Sequence, residues 1–275
     1  MKLKNLLPFT FYLLPFTCLF TGCGIDYQFK TAEKLKENGK FVDAITKYQL
    51  IVEKKPDNPR IPEALYKIAR IYQQNLENIP AAKKYYRQVI NNYSTTEWAN
   101  YAAEAMLEEG VVDYFPLIKN SKWIEVDSDT FGRYMTAKNE IVAVDGETCE
   151  MTRNLYTKGS SVSSFRKYFK KTKNGIYETA KNGKLIATLL LLPIENNKEW
   201  PVGNVKYTVV SKNETVTVLV GKFTNCIKIK KQLVGTASYS NEYYAPEVGK
   251  ILTTQSAGAT EKRITELKEF NIPTE

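Results

Sequence analysis

Between residues 27 and 110 the chain repeats its own pattern of small and aromatic side chains. Ala32 and Leu35 recur as Ala69 and Tyr72, a shift of 37, while Ala44 and Tyr48 recur as Ala82 and Tyr86, a shift of 38. Each copy reads as two helices. "YQFKTAEKLKENG" sets Phe29, Ala32 and Leu35 at helical spacing and meets a turn at Gly39. "KFVDAITKYQLIVEKKPD" runs through Phe41, Ala44, Ile45, Tyr48, Ile51 and Val52, with Pro56 just beyond. The second pair is "PEALYKIARIYQQ" and "PAAKKYYRQVINNYS"; then "TEWANYAAEAMLEEG" begins on a Thr cap and closes on Gly110, with Ala103 and Met106 starting a third copy. Small residues let paired helices approach closely and aromatics fill the space between pairs. A chain built this way must stack its repeats, because no single pair buries its own apolar face.

This arrangement resembles the tetratricopeptide repeat, which has a small residue in each helix, a late aromatic and a closing proline. It departs in lacking the early tryptophan, in having repeats longer than about 34 residues, and in carrying Ser94 where the second proline falls. The longer repeats are similar to those of exported outer-membrane assembly lipoproteins. The resemblance implies a concave groove lined by the first helix of each pair, holding a peptide or partner helix. The matching positions are Phe29, Glu33 and Lys36, then Tyr66, Arg70 and Gln73. They are expected to be exposed and to suit a polar peptide with an apolar anchor.

After Val111 the texture changes to Val, Ile, Tyr and Thr punctuated by Asp145-Gly146, Asn174-Gly175 and Asn182-Gly183, the strongest short hairpin signals. Strands of the usual ~5–6 residues would give an antiparallel meander of about eight to ten. "ATEKRITELKEFNI" reads as a last strand or a short helix. Pro116 with Trp123 is echoed by Pro193 with Trp200, and Cys149 by Cys226, each at an offset of 77. Two related halves would explain the echo, as would chance. "YFPL…W", "GKFTNCIKI" and "YYAPEVGKI" resemble an envelope-protein β-domain of curved antiparallel sheets, some similar in shape to lipoprotein-carrier half-barrels. That pattern has glycine before each tryptophan, where this chain has Lys122 and Glu199. The expected fold is α+β in two domains: helical repeats over 23–110 and an antiparallel β-meander or curved sheet over 111–275.

Residues 1–22 read as a leader. Lys2 and Lys4 are followed by an apolar run, "LLPFTFYLLPFTCLF", too short and too proline-broken to span a bilayer. "LFTGC" resembles the lipobox of bacterial lipoproteins, with Phe20 where leucine is usual. The resemblance implies cleavage before Cys23 and acylation there; at about 0.8 kcal/mol per buried methylene, several chains tether a domain firmly. Gly24 and Ile25 follow, without the aspartate that retains some lipoproteins at the inner membrane. The implied location is the bacterial envelope, on the periplasmic face of the outer membrane. Cleavage removes Lys2 and Lys4 and no acid, lowering the net charge from +9 to +7. "FRKYFKKTK" is the densest basic stretch; it reads as a lysine-protected strand edge rather than a nucleic-acid patch.

The sequence holds no histidine, which removes Ser-His-Asp and Cys-His catalysis and most zinc sites. No phosphate loop or metal cluster is present, and no cofactor is expected. Ser164 and Lys167 match S-x-x-K but lie in strand-like surroundings. Cys149 and Cys226 would form either a disulfide or two buried thiols. The expectation is a non-enzymatic adaptor holding an envelope protein or peptide, joined to the membrane through its N-terminal lipid. A lipid carrier with "IATLLLLPI" lining the β-domain is the alternative, and a histidine-free hydrolase stands third.

Overall fold

The computed structural model describes residues 23–54, 57–108, 110–257 and 260–273. The leader, including Thr21 and Gly22 of the lipobox, and Pro56 lie outside the described residues. The chain divides into two compact units, one ending at Ala102 and the other starting at Ala103.

Among the described residues, five helices come first: α1 (Cys23–Glu37), α2 (Phe41–Lys54), α3 (Ile61–Gln74), α4 (Ile79–Asn92) and α5 (Glu97–Met106). Their ends follow from local chemistry. Gly39, at φ 73°, lets the Gly39 and Lys40 amides turn back to the Lys36 and Leu35 carbonyls, at 2.9 and 2.8 Å, closing α1. Pro62 and Pro80 sit in the first turns of α3 and α4, where a missing amide breaks no helical bond. The Asn78 side chain caps α4 by accepting from the Ala81 amide at 3.1 Å. Helix α5 stops at Met106, short of Gly110, and the Thr96 hydroxyl donates back to the Tyr93 carbonyl.

The recurring residues are where the helices meet. Ala32, Ala44, Ala69 and Ala82 are fully buried, as are Tyr48 and Tyr86. An aromatic ring of this size contributes about 1.5–3 kcal/mol by burial, and any larger residue at the alanines would hold the helices apart.

The second unit carries β1 (Lys122–Asp127), β2 (Met135–Asp145), β3 (Thr148–Thr157), β4 (Ser160–Thr172), β5 (Gly175–Thr179), β6 (Leu185–Leu191), β7 (Glu199–Val202), β8 (Val205–Val218), β9 (Gly221–Leu233), β10 (Tyr239–Ala245), β11 (Gly249–Ala257) and β12 (Thr260–Asn271). All pair antiparallel in one sheet of order β6-β5-β4-β3-β2-β1-β12-β11-β10-β9-β8-β7. Twelve strands exceed the eight to ten expected because β5 and β7 are short and residues 260–271 form a strand. Asp145-Gly146 leads from β2 into a turn at 146–147 and Asn182-Gly183 lies in a turn, each glycine at positive φ. Gly175 serves differently: it already belongs to β5, and a Cβ there would lie 2.5 Å from the Leu190 carbonyl oxygen.

The sheet is two six-stranded meanders joined through β1 and β12. Trp123 is the second residue of β1 and Trp200 the second of β7; Cys149 lies on β3 and Cys226 on β9. The 77-residue echo therefore coincides with a shift of six strands. The other junction, between β6 and β7, leaves the sheet nearly closed. Pro201 has no amide to donate and suits an edge strand, and β7 pairs only with β8. The Trp200 indole N–H reaches the Thr188 carbonyl of β6 at 3.0 Å.

Candidate functional site

The helical unit holds a cleft of about 540 Å³ lined by Asp26, Phe29, Lys30, Glu33, Lys34 and Glu37 of α1 with Arg60, Glu63 and Lys67 at and along α3. These are the first helices of successive repeats. Asp26, Lys30, Glu33 and Glu37 fall on one helical stripe, and Arg60, Glu63 and Lys67 on the facing one. Phe29 forms the floor. It is 2% exposed, set edge-on to Tyr48 with ring centroids 5.4 Å apart, and the Arg60 guanidinium lies 3.6 Å above its ring. Phe29 is therefore buried where an exposed apolar anchor point was expected. Phe29 packs into the apolar core with Ile25, Ala44, Ile45 and Tyr48, and the planar Arg60 cation lies over its ring in cation–π contact.

Ion pairs cross the cleft. Arg60 meets Asp26 at 2.7 Å and Lys67 meets Glu33 at 2.6 Å across it, while Arg60 also meets Glu63 at 2.9 Å along α3. Tyr48 also donates a short hydrogen bond to Glu33. Burial works to raise the Glu33 carboxyl, but the bonds from Lys67 and Tyr48 outweigh it, holding the group below its ordinary value. Arg60 is held above its ordinary value against burial by Glu63 and Asp26. Lys30, Lys34 and Glu37 are exposed and in no salt bridge among the described residues. The cleft thus offers paired charges that can exchange partners and two open lysines one turn apart.

The six groove residues expected from the sequence do not share one surface. Phe29 and Glu33 line the cleft, and Lys36 is half-buried outside it. Tyr66 packs among aromatics instead, with centroid distances of 5.8 Å to Tyr86, 5.4 Å to Trp98 and 6.2 Å to Tyr101. Arg70 donates to Gln73 at 3.3 Å, and Gln73 also accepts from the buried Tyr86 hydroxyl. Sequence reasoning missed Asp26, Lys30, Lys34, Arg60, Glu63 and Lys67. Their i, i+3 and i, i+4 spacing on two facing helices was the available signal.

In the β unit, charges are folded inward. Glu125, 7% exposed, is held by Arg153 at 3.1 Å and Lys250 at 3.5 Å. Glu242 accepts from Lys231 at 3.1 Å and from the Tyr244 hydroxyl at 2.8 Å, and Lys167 pairs with Glu178 at 2.9 Å. Burial pushes Glu125 and Glu242 up, but Lys250 with Arg153, and Lys250 with Lys231, bring each below its ordinary value. The run "IATLLLLPI" is divided: Ile186 is exposed, while Leu190 packs with Ile176 and Trp200. Cys149 and Cys226 are free thiols in one apolar cluster, pushed up by burial to about 12 and about 11. Tyr243 and Tyr244 are buried ahead of the turn that starts at Pro246 and leads into β11 at Gly249. Ser164 and Lys167 lie three apart on β4, hence on opposite faces, with Ser164 bonded to Asn154 at 2.6 Å.

Residues 63–96, covering nearly all of α3 and the whole of α4, match the tetratricopeptide repeat family. Among curated proteins, none matches this chain. Two solved structures are similar in part. One is a protein assigned as a lipoprotein from Parabacteroides distasonis, 14% identical at a TM-score of 0.40, covering 58% of this chain and 99% of its own. The other, assigned as an exported protein with a YmcC-like fold from Bacteroides fragilis, is 12% identical at a TM-score of 0.40, covering 58% of this chain and 100% of its own.

Proposed function

We propose that this protein is a non-enzymatic adaptor of the bacterial envelope, lipid-anchored through Cys23, that holds a partner segment in the α1–α3 cleft. The observation that carries the reading is the cleft itself, formed between first helices of neighbouring repeats and walled by exchangeable ion pairs. Phe29 is covered by Arg60, so the partner is read through charge: its acidic side chains meet Lys30 and Lys34. The anchor rests on "LFTGC" alone, and its location at the outer membrane on the residues that follow.

Two measurements test this. Intact mass of the mature protein is expected to equal residues 23–275 plus a diacylglycerol and an acyl chain; a bare polypeptide mass, or another first residue, removes the anchor. Lys30→Glu with Lys34→Glu is expected to abolish recovery of the partner recovered by the parent protein from envelope extracts, at unchanged helix content. Undiminished recovery removes the cleft.

A further inference from the structure

Turns of an antiparallel meander alternate between the two ends of its sheet. Residues 128–134, 158–159, 180–184, 203–204 and 234–238 therefore turn at one end; 146–147, 173–174, 192–198, 219–220 and 246–248 turn at the other. At the first end, turns are tied to one another and to β12. The Lys158 amide donates to the Tyr134 carbonyl at 2.9 Å, Lys262 pairs with Asp129 at 2.7 Å, and the Val234 amide donates to the Asn204 carbonyl at 2.9 Å.

This rim carries the most exposed apolar side chains of the β unit. Phe131, Tyr134, Val162, Leu185, Ile186 and Val234, all at or within three residues of these turns, are between 55 and 66% exposed. At the opposite end Val144, Leu219, Val220 and Phe270 reach no more than 44%. The same turns hold Arg133, Lys158, Lys181 and Lys184, all exposed and in no ion pair among the described residues. Asp129, the acid among the described residues of these turns, is taken by Lys262. Outward faces of the strands carry the ion pairs Lys122–Glu140 and Arg166–Glu150, at 3.2 and 2.6 Å, a wall made for water and not for acyl chains.

We infer that this rim docks on an anionic bilayer surface. The apolar tips enter the boundary between headgroups and acyl chains, and the four unpaired cations meet lipid phosphates. Exposed apolar tips without the cations would fit a protein partner equally well; the cations select an anionic lipid surface. The inference stands apart from the cleft, since it concerns the β unit alone.

The test places a polarity-sensitive fluorescent amino acid at Val234, or at Lys173 on the opposite end, in the full chain. Vesicles are either equimolar phosphatidylglycerol and phosphatidylcholine or phosphatidylcholine alone. The expected result is a blue shift at position 234 with the anionic vesicles only, weakened by salt, and no shift at position 173. Arg133→Gln, Lys158→Gln, Lys181→Gln and Lys184→Gln together are expected to lower the inserted fraction by at least about tenfold. Equal shifts in both vesicles, no shift at 234, or a shift that grows with protein concentration without vesicles would each overturn the inference, the last by assigning the rim to a second copy of the chain.

Discussion

The helical unit and the β unit treat their charged residues in opposite ways. In the helices, Glu33 and Lys67 pair while about a third and a quarter of each side chain stays in contact with water (33% and 25%). In the sheet, the Glu125 side chain is 10% exposed where it meets Arg153. A surface pair contributes only about 0–1 kcal/mol, so its members can leave one another for a partner at little cost. A buried pair cannot, because either member left alone is an uncompensated charge. On this ground the proposed place of recognition is the helical cleft, where charge is accessible and exchangeable, while the inner sheet holds its charges fixed.

This contrast can be broken in order of expected effect. Glu125→Ala strands Arg153 and Lys250 and is expected to destabilise the β unit by about 3–5 kcal/mol in urea unfolding; a loss under 1 kcal/mol would make the inner network as exchangeable as the cleft. Tyr66→Ala removes three ring contacts and is expected to cost the helical unit about 2 kcal/mol, the site being half-buried.

Acid titration sharpens the comparison. Glu125, Glu242 and Glu33 all titrate below their ordinary values in the fold. Their stabilisation is therefore present above the unfolded carboxylate value, about pH 4.3, and is lost as pH falls through the lower folded values. Melting temperatures between pH 5 and pH 3 should fall more steeply for the β unit than for the helical one. A steeper fall for the helices would reverse the assignment. The thiols have the opposite sign: folded values near 12 and 11 against an unfolded value of about 8.5 give stability that is lost as pH rises past that point. At pH 8, Cys149 and Cys226 are expected to resist a thiol reagent until the protein is denatured, as peptide mapping would detect.

The helices were legible because their contacts are local. Ala32 and Ala44, or Ala69 and Ala82, lie on the two helices of one hairpin and all four are buried, as their spacing implied. The β meander was legible from its turns, but not the joining of its two halves, since the pairing of Trp123 with Phe270 joins residues from opposite ends of the unit. At the site, spacing placed Phe29 and Glu33 on the cleft-lining helix. It could not reveal that Arg60 would cover Phe29, or that Tyr66 would turn to Trp98, because each contact depends on how α1, α3 and α5 lie in space.

The most direct test of the central claim is site-specific photo-crosslinking in living cells. A crosslinking amino acid at Lys34, in the cleft, is compared with one at Thr46, exposed on α2 away from it. Position 34 is expected to give one discrete crosslinked protein, absent from position 46 and lost when Lys30→Glu is added. The same product from both positions, or one indifferent to Lys30→Glu, would contradict that claim.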